Sequence, residues 1–139
     1  MNRDMLEIIR HQIPLTMPPD TAVQEACARM HDRRVGAVLV TNEAGRLLGI
    51  FTGRDAVEFL AGGKDAAAIS LGDVMTPNPD VLPSGAKAIE ALRLMRDGGF
   101  RHLPVVENDI VIGIVSRGDF RGLEHDRLDV ETGLWESMR

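Results

Sequence analysis

The sequence predicts an α+β protein: two pseudo-symmetric β-α-β-β-α repeats packed sheet to sheet into one globular module. Three observations carry this. The segment Gly49-Ile50-Phe51-Thr52-Gly53-Arg54-Asp55 recurs as Gly113-Ile114-Val115-Ser116-Arg117-Gly118-Asp119. Upstream, Pro14-Leu15-Thr16-Met17-Pro18 aligns with Pro79-Asp80-Val81-Leu82-Pro83, Glu25-Ala26 with Glu90-Ala91, and Met30-His31-Asp32 with Met95-Arg96-Asp97. The copies differ by one residue at a turn, Asn42-Glu43-Ala44-Gly45 against Glu107-Asn108-Asp109, where a shared fold tolerates a deletion.

Each repeat is expected to begin with a short extended piece, Leu15-Met17 in the first. A helix follows, capped by Asp20 and carrying Ala22, Val23, Ala26, Cys27 and Met30 on one side. Its counterpart begins near Ser84 and carries Ala88, Ile89, Leu92 and Met95. Ala37-Val40 and Leu47-Phe51 then form a hairpin, matched by Leu103-Val106 and Val111-Val115. These strands are nearly all apolar, so both of their faces are expected to be covered. A short helix ends each repeat: Ala56-Leu60, stopped by Gly62-Gly63, and Phe120-Leu123. The repeats span 13–63 and 79–123, with 64–78 as the linker leading into the second and 124–139 as a charged tail. Two prolines, Pro77 and Pro79, rule out a helix through the linker. Met5-Leu6-Glu7-Ile8-Ile9-Arg10 forms an amphipathic stretch outside the repeats. A repeat of roughly 60 residues is marginal alone, so each sheet needs a partner.

Composition narrows the function. The net charge is −5, with no basic cluster, which argues against a nucleic-acid partner. No apolar run reaches the roughly 20 residues of a membrane span, and the N-terminus does not read as a signal peptide. The expectation is a cytoplasmic protein. Cys27 is the single cysteine, which removes intramolecular disulfides and multi-thiolate metal sites; it reads as a small buried hydrophobe.

The repeated corner carries the chemistry. Thr52 with Asp55, and Ser116 with Asp119, match a capping-box spacing, so hydroxyl and carboxylate can satisfy orphan amides. Gly53 and Gly118 inside the corners let a ligand approach the backbone. Helix N-terminal amides suit phosphate or sugar oxygens, and a carboxylate there can accept both hydroxyls of a ribose diol. The two readings are compatible.

The corners, the run Arg101-His102-Leu103-Pro104-Val105-Val106 and Asp73-Val74-Met75-Thr76-Pro77 together resemble a tandem cystathionine-β-synthase (CBS) domain pair, the Bateman module, over roughly residues 13 to 123. The resemblance implies an adenosine-containing ligand in clefts between the repeats: AMP, ADP or ATP first, NAD or S-adenosylmethionine less readily. One cleft would use Ser116 and Asp119 at the ribose, Arg101 and His102 beside the phosphate, and Met17, Ala22 and Val35 near the base. The other would use Thr52, Asp55, Gly36 and Ala37, with Thr76, Asn78 and Phe100 contributed by the second repeat. Because Gly36-Ala37 stands where Arg101-His102 stands in the other copy, the Ser116/Asp119 cleft is expected to hold phosphate better.

Other signals are weaker. Ser116, His102 and Asp119 invite a hydrolytic triad, but the first repeat has Ala37 in place of the base and no Gly-x-Ser-x-Gly elbow exists, so no catalytic residue and no enzyme activity are expected. His11 and His31 read as solvated. The tail carries His125, Asp126, Asp129 and Glu131, whose neighbouring positions do not converge on a metal; it reads as a charged surface helix, with Leu128, Leu134 and Trp135 docking on the body or a partner. The expected protein is a non-enzymatic sensor, homodimeric as the resemblance implies, that reports nucleotide occupancy to an effector protein. The alternative is an interaction module whose clefts are vestigial.

Overall fold

The run Ala37-Val38-Leu39-Val40-Thr41 is buried at every position and forms β2, the centre of a four-stranded sheet in this computed structural model, which describes residues 4–120. The sheet runs β1 (Thr16–Met17), β2 (Ala37–Thr41), β3 (Leu47–Thr52), β4 (Thr76–Pro77), with β1 parallel to β2 and the other neighbours antiparallel. A second, three-stranded sheet runs β5 (Leu82–Pro83), β6 (His102–Glu107), β7 (Ile110–Ser116). Strand pairing repeats between the sheets: Met17 opposes Val40 in one as Leu82 opposes Val105 in the other. The helices are α1 (Met5–Ile9), α2 (Val23–Arg33), α3 (Gly53–Ala61), α4 (Leu71–Val74) and α5 (Ala88–Gly98).

The chain divides into two units, each with its own core. The first comprises residues 13–80 and 108–111; of the described residues, the second comprises 4–12, 81–107 and 112–120. In the first unit, Val23, Ala26 and Met30 form the inner stripe of α2, packing with Leu15, Met17, Val38, Val40, Phe51, Phe59 and Leu71. In the second, Ala88, Ala91, Leu92 and Met95 of α5 pack with Leu82, Leu103, Val105, Val115 and Phe120.

These boundaries differ from the order of the repeats in an informative way. The segment that precedes each repeat in the chain is part of the other repeat's core. Met5 and Ile9 of α1 are 0% and 3% exposed within the second unit, the Met5 amide donates to the Ala86 carbonyl at 3.0 Å, and Gln12 Oε1 accepts from the Ile114 amide at 3.2 Å. In the first unit Leu71 of α4 is fully buried, and its amide donates to the Thr21 carbonyl at 2.8 Å. A glycine receives each segment. A Cβ on Gly113 would meet Ile9 at 2.8 Å, and one on Gly49 would overlap Met75 and the Thr76 carbonyl. The stretch Met5–Arg10 expected outside the repeats, and much of the expected linker 64–78, are thus structural elements.

Helix boundaries shift for a related reason. Asp20 does not cap α2; the N-cap is Ala22, and the first helical amides donate instead to carbonyls of the 66–69 segment, Val23 to Ile69 at 2.9 Å and Gln24 to Ala66 at 3.0 Å. The helix expected from Ser84 starts at Ala88, while the Ser84 hydroxyl donates to Glu107 at 3.0 Å. Arg34 closes α2 in the left-handed region at φ 55°. A 3-10 turn, Arg117–Asp119, forms the second corner; Phe120, expected to open a helix, is extended and buried. Residues 121–123 and the tail with Trp135 lie outside the described residues.

Candidate functional site

Two carboxylate corners stand at equivalent places, one per unit. At the first, β3 runs straight into α3, so Thr52 ends the strand and caps the helix. Its amide donates to Asp55 Oδ2 at 2.8 Å, and the Asp55 amide donates back to Thr52 Oγ1 at 3.2 Å. At the second, the Ser116 amide donates to Asp119 Oδ2 at 2.7 Å and the hydroxyl to the same oxygen at 3.4 Å. Each box fixes the carboxylate through Oδ2. A carboxylate offers about four acceptor positions, more than the cap bonds alone use.

A second backbone bond ties each corner to the residue before the central strand. The Gly53 amide donates to the Gly36 carbonyl at 2.9 Å, and the Arg117 amide to the Arg101 carbonyl at 3.2 Å. Arg101 is thereby held beside its corner, where the first unit has a glycine. Ala37 is 6% exposed within its core, whereas His102 is half-buried. Burial pushes the His102 imidazole below its ordinary value of 6.5, and the Arg101 guanidinium adds to this, while Asp119 opposes it. The cationic residues of the corner at neutral pH are therefore Arg101 and Arg117 rather than His102.

A lowered folded-state value means the unfolded chain takes up the proton first. The stability gained by keeping His102 neutral is present above pH 6.5 and is lost as the pH falls through the lowered value. Urea midpoints at pH 7.5 and 5.0 are expected to fall further for the wild type than for His102→Gln; equal falls would show that this imidazole does not report on the fold.

The structure distributes the sequence-predicted residues as follows. Ser116, Asp119, Arg101 and His102 come together in the second unit, while Met17, Ala22 and Val35 belong to the first. Met17 is 5% exposed in the core, Ala22 is the N-cap of α2, and Val35 lines an open groove of about 470 Å³ with Met30, His31, Asp32 and Arg34. Thr52, Asp55, Gly36 and Ala37 meet at the first corner. Thr76 and Asn78, assigned by resemblance to the second repeat, sit in the first unit: Thr76 opposes Ile50 of β3, and the Asn78 amide donates to the Leu48 carbonyl at 3.2 Å. Phe100 lies in the second unit against its core. Sequence pattern does not single out Arg117, half-buried in its corner; the signal was the exchange of Gly53-Arg54 for Arg117-Gly118.

Cys27 packs against the first core, and burial pushes its thiol up, away from reactivity. Among the described residues no three His, Cys, Asp or Glu side chains converge as a metal site; the tail candidates His125, Asp126, Asp129 and Glu131 lie outside them. No helix of the described residues is long and apolar enough to cross a membrane.

The sequence profile of the CBS domain matches twice, over residues 3–62 and 71–126. The chain belongs to the CBS domain family. Both matched spans begin ahead of the strands, at the segments that the structure exchanges between cores. CBS domain-containing protein CBSCBSPB5 of Arabidopsis thaliana is 45% identical over 102 residues, 73% of this chain; the match covers only 19% of that longer protein. Two solved CBS structures share the fold. PAE2072 from Pyrobaculum aerophilum, complexed with AMP, superposes with a TM-score of 0.82 at 20% identity, covering 94% of this chain and 99% of the other. The CBS pair of protein MJ0100, in complex with 5'-methylthioadenosine and S-adenosyl-L-methionine, gives 0.78 at 22%, covering 94% and 98%.

Proposed function

We propose that this CBS pair is a non-enzymatic regulatory module whose two corners bind adenosine-containing ligands, AMP, ADP or ATP above all, and that it reports their occupancy to an effector protein or to its own homodimer in the cytoplasm. The observation that carries the reading is the duplicated carboxylate, held by the backbone of its own corner and of the chemistry that accepts the two hydroxyls of a ribose diol. In the second unit Ser116, Asp119, Arg101 and His102 serve ribose and phosphate; in the first, Thr52 and Asp55 serve the ribose, with Gly36 and Ala37 beside them. The complexes of PAE2072 with AMP and of MJ0100 with two other adenosine compounds support the ligand class. Binding alone transmits nothing; occupancy is reported only insofar as ligand favours one conformation of the module over another.

One observation favours a second reading. Each carboxylate already has a structural use, accepting from the amide of its own corner, which fits an interaction module with vestigial sites. A thermal-shift series with AMP, ADP, ATP, NAD and S-adenosylmethionine separates the two. A ligand at about a hundred times its dissociation constant adds roughly 2.7 kcal/mol and raises the melting temperature by several degrees. At least one adenosine compound is expected to do so; no shift with any of them supports the interaction module.

A further inference from the structure

We infer that the acidic tail of this chain, residues 124–139, docks on a basic groove with an apolar floor at the end of α2. This goes beyond the reading above and does not depend on it. The groove is open, has a volume of about 470 Å³ and is lined by Met30, His31, Asp32, Arg34 and Val35.

The local backbone builds this surface. α2 closes in a left-handed turn: the Arg34 amide donates to the His31 carbonyl at 3.1 Å and the Val35 amide to the Met30 carbonyl at 3.0 Å. The turn leaves Arg29, His31, Arg33 and Arg34 exposed. Asp32 is the only carboxylate over residues 29–35, so the guanidiniums set the charge of this end. Met30, 6% exposed, and half-buried Val35 supply the apolar floor. Ile13 adds an apolar edge. Its carbonyl accepts from the Arg33 guanidinium, and the parallel pairing of Thr16 with Leu39 brings the chain before β1 alongside the residues before β2. The Ile13 side chain is 78% exposed, more than any other large apolar residue described.

The tail is complementary in charge and in apolar content. Glu124, Asp126, Asp129, Glu131 and Glu136 stand against Arg127 and Arg139, five acidic residues to two basic, and so carry −3 of the chain's net −5. Leu128, Val130, Leu134 and Trp135 are interleaved with them. Apolar side chains flanked by carboxylates fit an apolar floor rimmed by guanidiniums, and opposite charges fix the register. Other exposed apolar residues lack such a rim. Leu6, Val57 and Val81 have the exposed carboxylates of Glu7, Glu58 and Asp80 as immediate neighbours, which repel an acidic segment. The stretch that follows Phe120 covers roughly 60 Å when extended, about twice the breadth of a small domain, so its length does not limit the contact.

Trp135 is the only tryptophan, so its fluorescence in the full chain reads the contact directly. In the wild type its emission is expected to be blue-shifted and shielded from acrylamide. Arg29→Glu/Arg34→Glu should move the emission to longer wavelength and raise the quenching constant severalfold. Both arginines are exposed, so far-UV circular dichroism should not change, which separates release of the tail from unfolding. Raising salt from about 0.1 M to about 1 M shortens the screening length from about 10 Å to about 3 Å and should act in the same direction. Asp129→Lys/Glu131→Lys should also expose Trp135, and combining the two charge reversals should restore the shielding. A wild-type Trp135 as open to acrylamide as free tryptophan overturns the proposal. So does shielding that ignores both reversals and salt, or shielding lost on dilution, which would place the tail on a second copy. None of these outcomes bears on ligand binding at the corners.

Discussion

Replacing Met5 and Ile9 together by alanine is expected to unfold the second unit while the first stays protected. Both side chains lie in the core with Leu82, Leu92 and Leu103, at 0% and 3% exposure. Each truncation removes buried apolar volume worth about 2–5 kcal/mol, and a domain's entire stability is about 5–15 kcal/mol. The loss is directed by connectivity in space rather than in sequence: residues 5 and 9 precede the first repeat but pack within the second. Hydrogen exchange read by mass spectrometry should therefore show lost protection over β6 and β7, with β2 and β3 retaining theirs. Leu71→Ala is the mirror experiment, since Leu71 is fully buried in the first core and should expose β2 and β3 first. Loss of protection at β2 in the Met5/Ile9 variant, with β6 intact, would show that the cores are not partitioned in this way.

The parts of this architecture legible in the sequence are those encoded locally. Apolar runs marked β2, β3, β6 and β7, and the spacing of hydroxyl and carboxylate marked both corners down to the reciprocal hydrogen bonds at Thr52 and Asp55. The exchange of preceding segments was not legible, because it depends on contacts between residues far apart in sequence. Its trace is nevertheless present: Met5, Ile8 and Ile9 share the spacing of Leu71, Val74 and Met75, and both triplets touch their respective cores. The helix starts at Val23 and Ala88 differ from the expected ones because neither helix is capped by the expected side chain. For α2 the orphan amides turn to the carbonyls of Ala66 and Ile69, and for α5 the Lys87 amide turns to Glu90 at 2.8 Å. Thr76 and Asn78 fall in the second matched span, 71–126, yet pack in the first unit, where β4 completes the first sheet.

Converting both Asp55 and Asp119 to asparagine is expected to lower affinity for every adenosine ligand by about a hundredfold or more, with little change in stability. The asparagine carbonyl can take over the bond from the Thr52 or Ser116 amide, so the corner keeps its cap. The other terminal atom becomes an NH2 donor, which cannot accept a ribose hydroxyl. The diol then loses a charged acceptor and leaves a hydroxyl unpaired on binding, a combination that costs several kcal/mol in sites built for a hydroxyl. Asp→Ala would confuse this result, because removing a cap also costs about 0.5–2 kcal/mol of fold stability.

The most direct measurement is calorimetric titration of this double asparagine variant beside wild type, with AMP and adenosine, at equal and confirmed folded fractions. Wild type should give measurable heats with both compounds and the variant none within the accessible concentration range. Undiminished binding by a fully folded variant would mean that the paired carboxylates cap their corners and nothing more.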